Sequence, residues 1–205
     1  MRLKDILYFI KHMHFAEFWW TITNFTIVIP VWKISKKAEQ KANEIAKTDI
    51  LDGVINGGQV DAFRHCLWMA MLTQKIGPKR ARKLGLIHEK GNKKDFEKKI
   101  LEEDKLPDAT SVAMDLLNNE IGISIGLNFP NISEKSLIEE VIKYVLTGKC
   151  WIIKTDQNGN FLDKESKIIP EEKYLGKWNT PKVLVASNYG KETNGKLRKL
   201  GKHRF

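Results

Sequence analysis

Helical periodicity organises the first three quarters of this sequence. From Lys33 to Asp52, Ala38, Ala42, Ile45, Ala46 and Ile50 recur at helical spacing among charges, which predicts an amphipathic helix ending at Gly53. After the glycine turn in VINGGQV, Asp61 opens the most apolar run, DAFRHCLWMAMLTQKIG, closed by Gly77-Pro78. Pro78 suits a first helical turn, so a third helix is expected from PKRARKLGLIHEKG, to Gly91. Residues 92–108 are mostly charged around Phe96, Ile100, Leu101 and Leu106 and predict an exposed connection, with a short surface helix as the alternative. Thr110 and Ser111 are placed to cap a fourth helix whose apolar positions are Val112, Met114, Leu116, Leu117, Ile121 and Ile125. A fifth starts near Ser133 and stops at Gly148, with acids early and Lys143 late, as the helix dipole prefers.

The texture changes after Cys150. WIIKTDQNGNFLDKESKIIP has two β-rich runs flanking Asn158-Gly159, a strong hairpin signal. The expected fold is therefore mainly α, a helical bundle with a small C-terminal β-hairpin appendage. Its expected organisation is an N-terminal apolar segment and amphipathic helix over 1–52, a helical core over 53–149, and the appendage with a basic tail over 150–205. The same oxygen-rich loop fails as a calcium-binding EF-hand, because Phe161 stands where the glycine is needed and Lys167 where the bidentate acid belongs.

Composition narrows the picture in three ways. With 205 residues and 42% apolar side chains, one main domain with a real core is expected, and disorder throughout is excluded. Cys66 and Cys150 form no CxxC pair, which argues against a thiolate zinc site and for two buried thiols, with a single disulfide left open. No clean secretory signal is visible, and Phe18 to Trp32 is uncharged for about 15 residues, short of the roughly 20 a spanning helix needs. Residues 15–32 are expected to be a buried N-terminal cover, with peripheral membrane contact through the tryptophans as the alternative. The net charge of +10 favours an anionic partner, a polymer or a lipid surface. Part of that charge lies in Lys75, Lys79, Arg80, Arg82, Lys83, Lys90, Lys93 and Lys94, around the third helix.

The candidate chemistry lies in polar residues on helices that otherwise read as core. Asp61, Arg64, His65 and Trp68 occupy one stripe of the second helix. His88 and Glu89 follow the apolar LGLI of the third, and Asp115, Asn118 and Asn119 share a face of the fourth. Buried polar groups need partners, so packing the apolar sides of these helices together would gather imidazoles, carboxylates and amides into one interior site. Such donors suit a divalent Zn, Mn or Fe ion. His65, His88 and Asp115 are the expected ligands, Glu89 the general base, Arg64 and Asn119 the groups that hold substrate or developing charge, and Asp61 the group that orients His65 or Arg64.

NGGQVDAFRHCLWMAML, LGLIHEKGN and MDLLNNEIGISIG, spanning Asn56 to Gly126, resemble an uncharacterised bacterial domain family with DAFRHxxW, HE and MDLxNNxxG motifs. That family occurs in Rhs and YD-repeat, polymorphic-toxin-like proteins. The resemblance implies a site made of Asp61, Arg64, His65, Trp68, His88, Glu89, Asp115, Asn118 and Asn119, and an immunity protein as partner if the chain is a toxin. Leu117 replaces the His of the common MDLHNN form. The order His65, His88-Glu89, Asp115 is also loosely similar to HD-domain metal-dependent phosphohydrolases, which have His-Asp in place of His-Glu.

Together these features predict a metal-dependent, toxin-like hydrolase acting on a phosphodiester of nucleic acid or phospholipid. One alternative is a metal-free cell-wall glycosidase using Glu89 and Asp115 as acid and base. The other is a non-catalytic helical binding module in which the polar cluster only locks the helices together.

Overall fold

The computed structural model describes residues 27–100 and 106–190. The expectations for residues 15–26 and for the basic tail beyond Gly190 lie outside them. Five helices and one two-stranded antiparallel sheet at the C-terminal end make up the described chain, the mainly helical architecture the periodicity predicts.

Helix α1 spans Val28–Ala46. It starts earlier than the charge pattern suggests because the apolar Val28–Trp32 stretch is already helical, and Pro30 is tolerated in a first turn whose N–H groups have no intrahelical acceptor. It also ends before Gly53, where the Thr48 hydroxyl donates to the Ile45 carbonyl at 2.7 Å and the chain turns. Ile50 and Leu51 nevertheless remain in the core.

Helix α2, Gln59–Ile76, is buried on nearly every side and is the axis of the molecule. It ends at Gly77, whose φ of 82° is the left-handed region that glycine adopts without strain. Helix α3, Pro78–Lys98, runs through Gly91 and into the stretch expected to be an exposed connection. Buried Asn92 holds this extra length by donating from Nδ2 to Glu89 Oε2 at 3.0 Å. Helix α4, Ala109–Asn128, is capped earlier than expected, by Asp108, which accepts from the Thr110 and Ser111 N–H groups and forms a capping box with Ser111. Helix α5, Glu134–Leu146, is capped by Ser133 as the sequence indicates.

The packing of α2 on α4 decides where the polar residues go. Gly122 and Gly126 stand one turn apart on α4, against Cys66 and Ala70 of α2. A Cβ at Gly122 would collide with the Cys66 carbonyl oxygen, and one at Gly126 would sit 2.7 Å from that of Ala70. Residue number rises along both helices together, so α2 and α4 run parallel in close contact. Helix α3 lies antiparallel to α4, as shown by Arg82 on Glu120 and Gly85 beside Asn119.

Strand β1, Trp151–Ile153, pairs with β2, Leu184–Ala186, with Ile152 opposite Val185. The chain does reverse at Asn158-Gly159, but pairing there is a single bridge between Thr155 and Phe161. Asp156 Oδ1 accepts from the Asn158 and Asn160 N–H groups, so the loop is held by a side chain rather than a strand ladder. Asn118 joins sheet to helices, its amide accepting from the Trp151 N–H and donating to the Trp151 carbonyl, both at 2.9 Å. No described helix is long and apolar enough to cross a membrane.

Candidate metal centre

The parallel register of α2 and α4 places Asp61 and His65 against Asp115 and Asn119. His65, buried, brings Nδ1 to 3.2 Å from Asn119 Oδ1. An amide oxygen only accepts, so Nδ1 carries the ring proton and Nε2 presents its lone pair. Nε2 lies 3.3 Å from Asp115 Oδ1 and 3.6 Å from Asp61 Oδ1. These are not ion pairs at neutral pH. Burial, and after it the Arg64 charge, push the His65 pKa down to about 3, outweighing the opposite pull of Asp61. Asp61, His65 and Asp115 thus each direct a lone-pair-bearing atom to one place, all within 4.8 Å of one another and all buried. The group can hold a metal ion.

Asp61 is held from two directions. Asp61 sits in the first turn of α2, where the helix dipole favours negative charge, and its Oδ2 accepts the Gly57 N–H at 2.7 Å. Its Oδ1 accepts from Arg64 Nη2 at 2.8 Å. Glu89 is 3% exposed and lies one turn beyond Gly85 on α3, the helix that packs antiparallel on α4.

The remaining expected residues have other places. His88 is not in the converging group; its ring packs edge-on against Trp68 at 5.4 Å, while Asp61, expected to act from behind, takes the third position. Trp68 Nε1 donates to Ser35 Oγ of α1 at 2.9 Å and stands between α1 and α3. Asn118 is bound to the Trp151 backbone. Leu117, at the position where the resembled motif has His, is 41% exposed and outside the cluster. Cys66 and Cys150 are free, buried thiols with their sulfurs 3.6 Å apart. Burial raises the Cys66 pKa well above its ordinary value.

A solvent-open cleft leads to the cluster, its lining including Asp61, Arg64, Asp115, Ile153, Phe161 and Lys182. Sequence motifs gave no sign of Asp108, Phe161 or Lys182. They lie outside the helical polar stripes, and only the fold of the C-terminal segment brings the last two here.

The family model described as Domain of unknown function (DUF6973) matches residues 18–149, more than half of the chain. The chain belongs to that family. All three converging residues fall within the DUF6973 span, as do Arg64, Glu89 and Asn119, whereas Ile153, Phe161 and Lys182 fall beyond it. No curated protein and no solved structure matches the chain.

Proposed function

We propose that this protein is a metal-dependent hydrolase of phosphodiesters, with Asp61, His65 and Asp115 holding a divalent Zn, Mn or Fe ion. One observation carries the proposal: His65 Nε2 and one carboxylate oxygen each from Asp61 and Asp115 converge at one buried place. Arg64 offsets part of the negative charge of the two carboxylates, and a cation between the three atoms would offset more. Asn119 is the orienting partner that metal-binding histidines commonly have, here an amide oxygen. A set of two carboxylates and one imidazole suits Mn, Fe or Zn better than a thiolate-preferring ion.

A divalent ion held there supplies Lewis acidity toward a phosphoryl oxygen and acidifies water. Glu89, buried beside Asn92 on α3, is the proton acceptor for the attacking water. Arg64, half-buried on the cleft wall, neutralises charge that develops on the phosphoryl group. The +10 net charge and the exposed lysines of α3 draw the anionic polymer or lipid surface toward the cleft. The glycosidase alternative gains nothing from the geometry, since Asp115 faces His65 and Asp61.

The test uses wild type, His65→Ala and Glu89→Gln, each measured for bound metal and for hydrolysis of bis(p-nitrophenyl) phosphate. Wild type should bind metal and cleave, His65→Ala should lose both, and Glu89→Gln should keep metal while slowing about 10²- to 10⁴-fold. Metal binding without any phosphodiesterase activity would remove the substrate class. Absence of metal in all three would favour the binding module. Growth arrest of a bacterial host by wild type but not by Glu89→Gln supports a toxin role and the search for an immunity partner.

A further inference from the structure

Lys182 lies far along the chain from every motif, yet it lines the same cleft as Asp61 and Asp115. Its ammonium is fixed from three sides. Asp108 Oδ2 accepts from Nζ at 2.8 Å, the Phe161 ring centroid lies 3.9 Å away and that of Tyr174 5.0 Å away. Asp108 is itself immobilised, because its Oδ1 accepts the Thr110 and Ser111 N–H groups at the start of α4. Further ties fasten this segment to the same helix end: the Ala109 N–H donates to the Trp178 carbonyl, and Thr110 meets Thr180 through their hydroxyls. The C-terminal segment is therefore built onto the helix that carries Asp115.

An ammonium has three N–H donors, and Asp108 accepts one. Burying a charged lysine, 11% exposed at its side chain, beside a cleft is costly for a purpose that an apolar residue would serve as well. The charges lining the cleft also matter. Asp61, Asp108 and Asp115 oppose Arg64 and Lys182, a balance that is negative by one and becomes positive by one when a divalent ion is bound. That state favours an anionic phosphate ester. Beside the two cations, Ile153, Phe161, Leu106 and Pro107 make an apolar flank.

We propose that Lys182, supplied by the segment beyond the DUF6973 domain, is a substrate-binding residue that works with Arg64 to hold a phosphate ester, whose apolar substituent lies on the flank beside Phe161. This rests on the phosphodiesterase reading of the metal centre and adds the determinant of which ester is accepted: small phosphate esters with an apolar or planar group, rather than the bare anion.

The experiment compares Asp108→Asn with the double variant Asp108→Asn/Lys182→Met. Both lose the ion pair and keep a residue able to cap α4, but only the second loses the ammonium. Binding of phenyl phosphate to the manganese-loaded proteins is measured by calorimetry, with inorganic phosphate as the probe lacking the apolar group. Circular dichroism confirms folding, and Lys182→Arg gives a charge-retaining variant should the methionine form not fold. Asp108→Asn and Lys182→Arg should bind phenyl phosphate close to wild type, and the double variant about tenfold or more weakly. Wild type should prefer phenyl phosphate to inorganic phosphate. Equal binding by Asp108→Asn and the double variant, loss of binding in a folded Lys182→Arg, or no binding by wild type, overturns the proposal. Hydrolysis of bis(p-nitrophenyl) phosphate in the same samples separates the two readings. Weakened binding without hydrolysis by wild type sinks the hydrolase and leaves the subsite. Hydrolysis with an unaltered KM in the double variant sinks the subsite and leaves the hydrolase.

Discussion

His65 must remain uncharged in the fold although Asp61 and Asp115 lie beside it. Desolvation and the nearby Arg64 and His88 charges prevail, and the pKa falls from its ordinary 6.5 to about 3. Between those values the unfolded chain binds a proton that the folded chain excludes, so stability rises with pH across that window. It is fully present above about pH 6.5 and is lost as pH falls toward 3. For protein kept metal-free with a chelator, the urea midpoint should drop steadily from pH 7 to pH 4. His65→Gln, which cannot titrate, should flatten that slope. A wild-type midpoint independent of pH in this range would show that the imidazole is charged in the fold, and would remove the bare nitrogen on which the metal centre rests. At this scale the sequence was informative, because a histidine and two acids on apolar helices stand out. What it could not rank was His88 against Asp61, since helical spacing gives the face of a residue and not the depth at which its side chain ends.

Between elements, the site depends on how closely α4 approaches α2, and two glycines one turn apart set that distance. Gly122→Ala would drive a methyl group into the Cys66 carbonyl and to within 2.8 Å of Met69 Cβ, neither of which is the loose end of a side chain. Overpacking of this kind costs about 1–3 kcal/mol. Asp115 and Asn119 stand on the same helix, so the shift should also weaken metal binding, and calorimetry of the variant should show both a lower melting temperature and lower affinity. A variant of wild-type stability and affinity would mean that α4 is free to slide. Helix order and most boundaries were legible from periodicity, Gly77-Pro78 and Ser133. The parallel α2–α4 contact was not, because a glycine pair reads equally well as a weak spot in a helix until the neighbouring helix is seen. The strand pairing was missed for a related reason. Asn158-Gly159 is a local signal, whereas the true partner of β1 lies beyond the intervening loop at Leu184–Ala186 and has no turn to announce it.

For the molecule as a whole, the question is whether the segment after Lys149 is an appendage or part of the core. Cys150, Ile152 and Ile153 are nearly fully buried, and Cys150 and Ile152 belong to the cluster formed by α2, α5 and the end of α1. Polar ties run the same way. Gln59 Nε2 at the start of α2 donates to the Ser187 carbonyl, the Ser187 hydroxyl donates to the Val145 carbonyl, and the Ile153 N–H donates to the Gly57 carbonyl in the turn that supports Asp61. Burying each large aliphatic side chain stabilises by about 1.5–3 kcal/mol. Losing two of them, together with the partners of buried Asn118 and Gln59, approaches the roughly 5–15 kcal/mol that separates a domain from its unfolded state. A chain ending at residue 149 should therefore keep helical far-ultraviolet dichroism, lose its near-ultraviolet signal, bind a hydrophobic dye and melt without cooperativity. Cooperative melting near the full-length temperature would show that the matched domain is self-sufficient. The added segment would then serve the cleft alone, through Phe161 and Lys182. If the shortened chain instead loses its fixed packing, the same residues that line the substrate side of the cleft also hold Gly57, and through it Asp61, in place. Metal affinity and substrate choice would then have to change together whenever this segment changes.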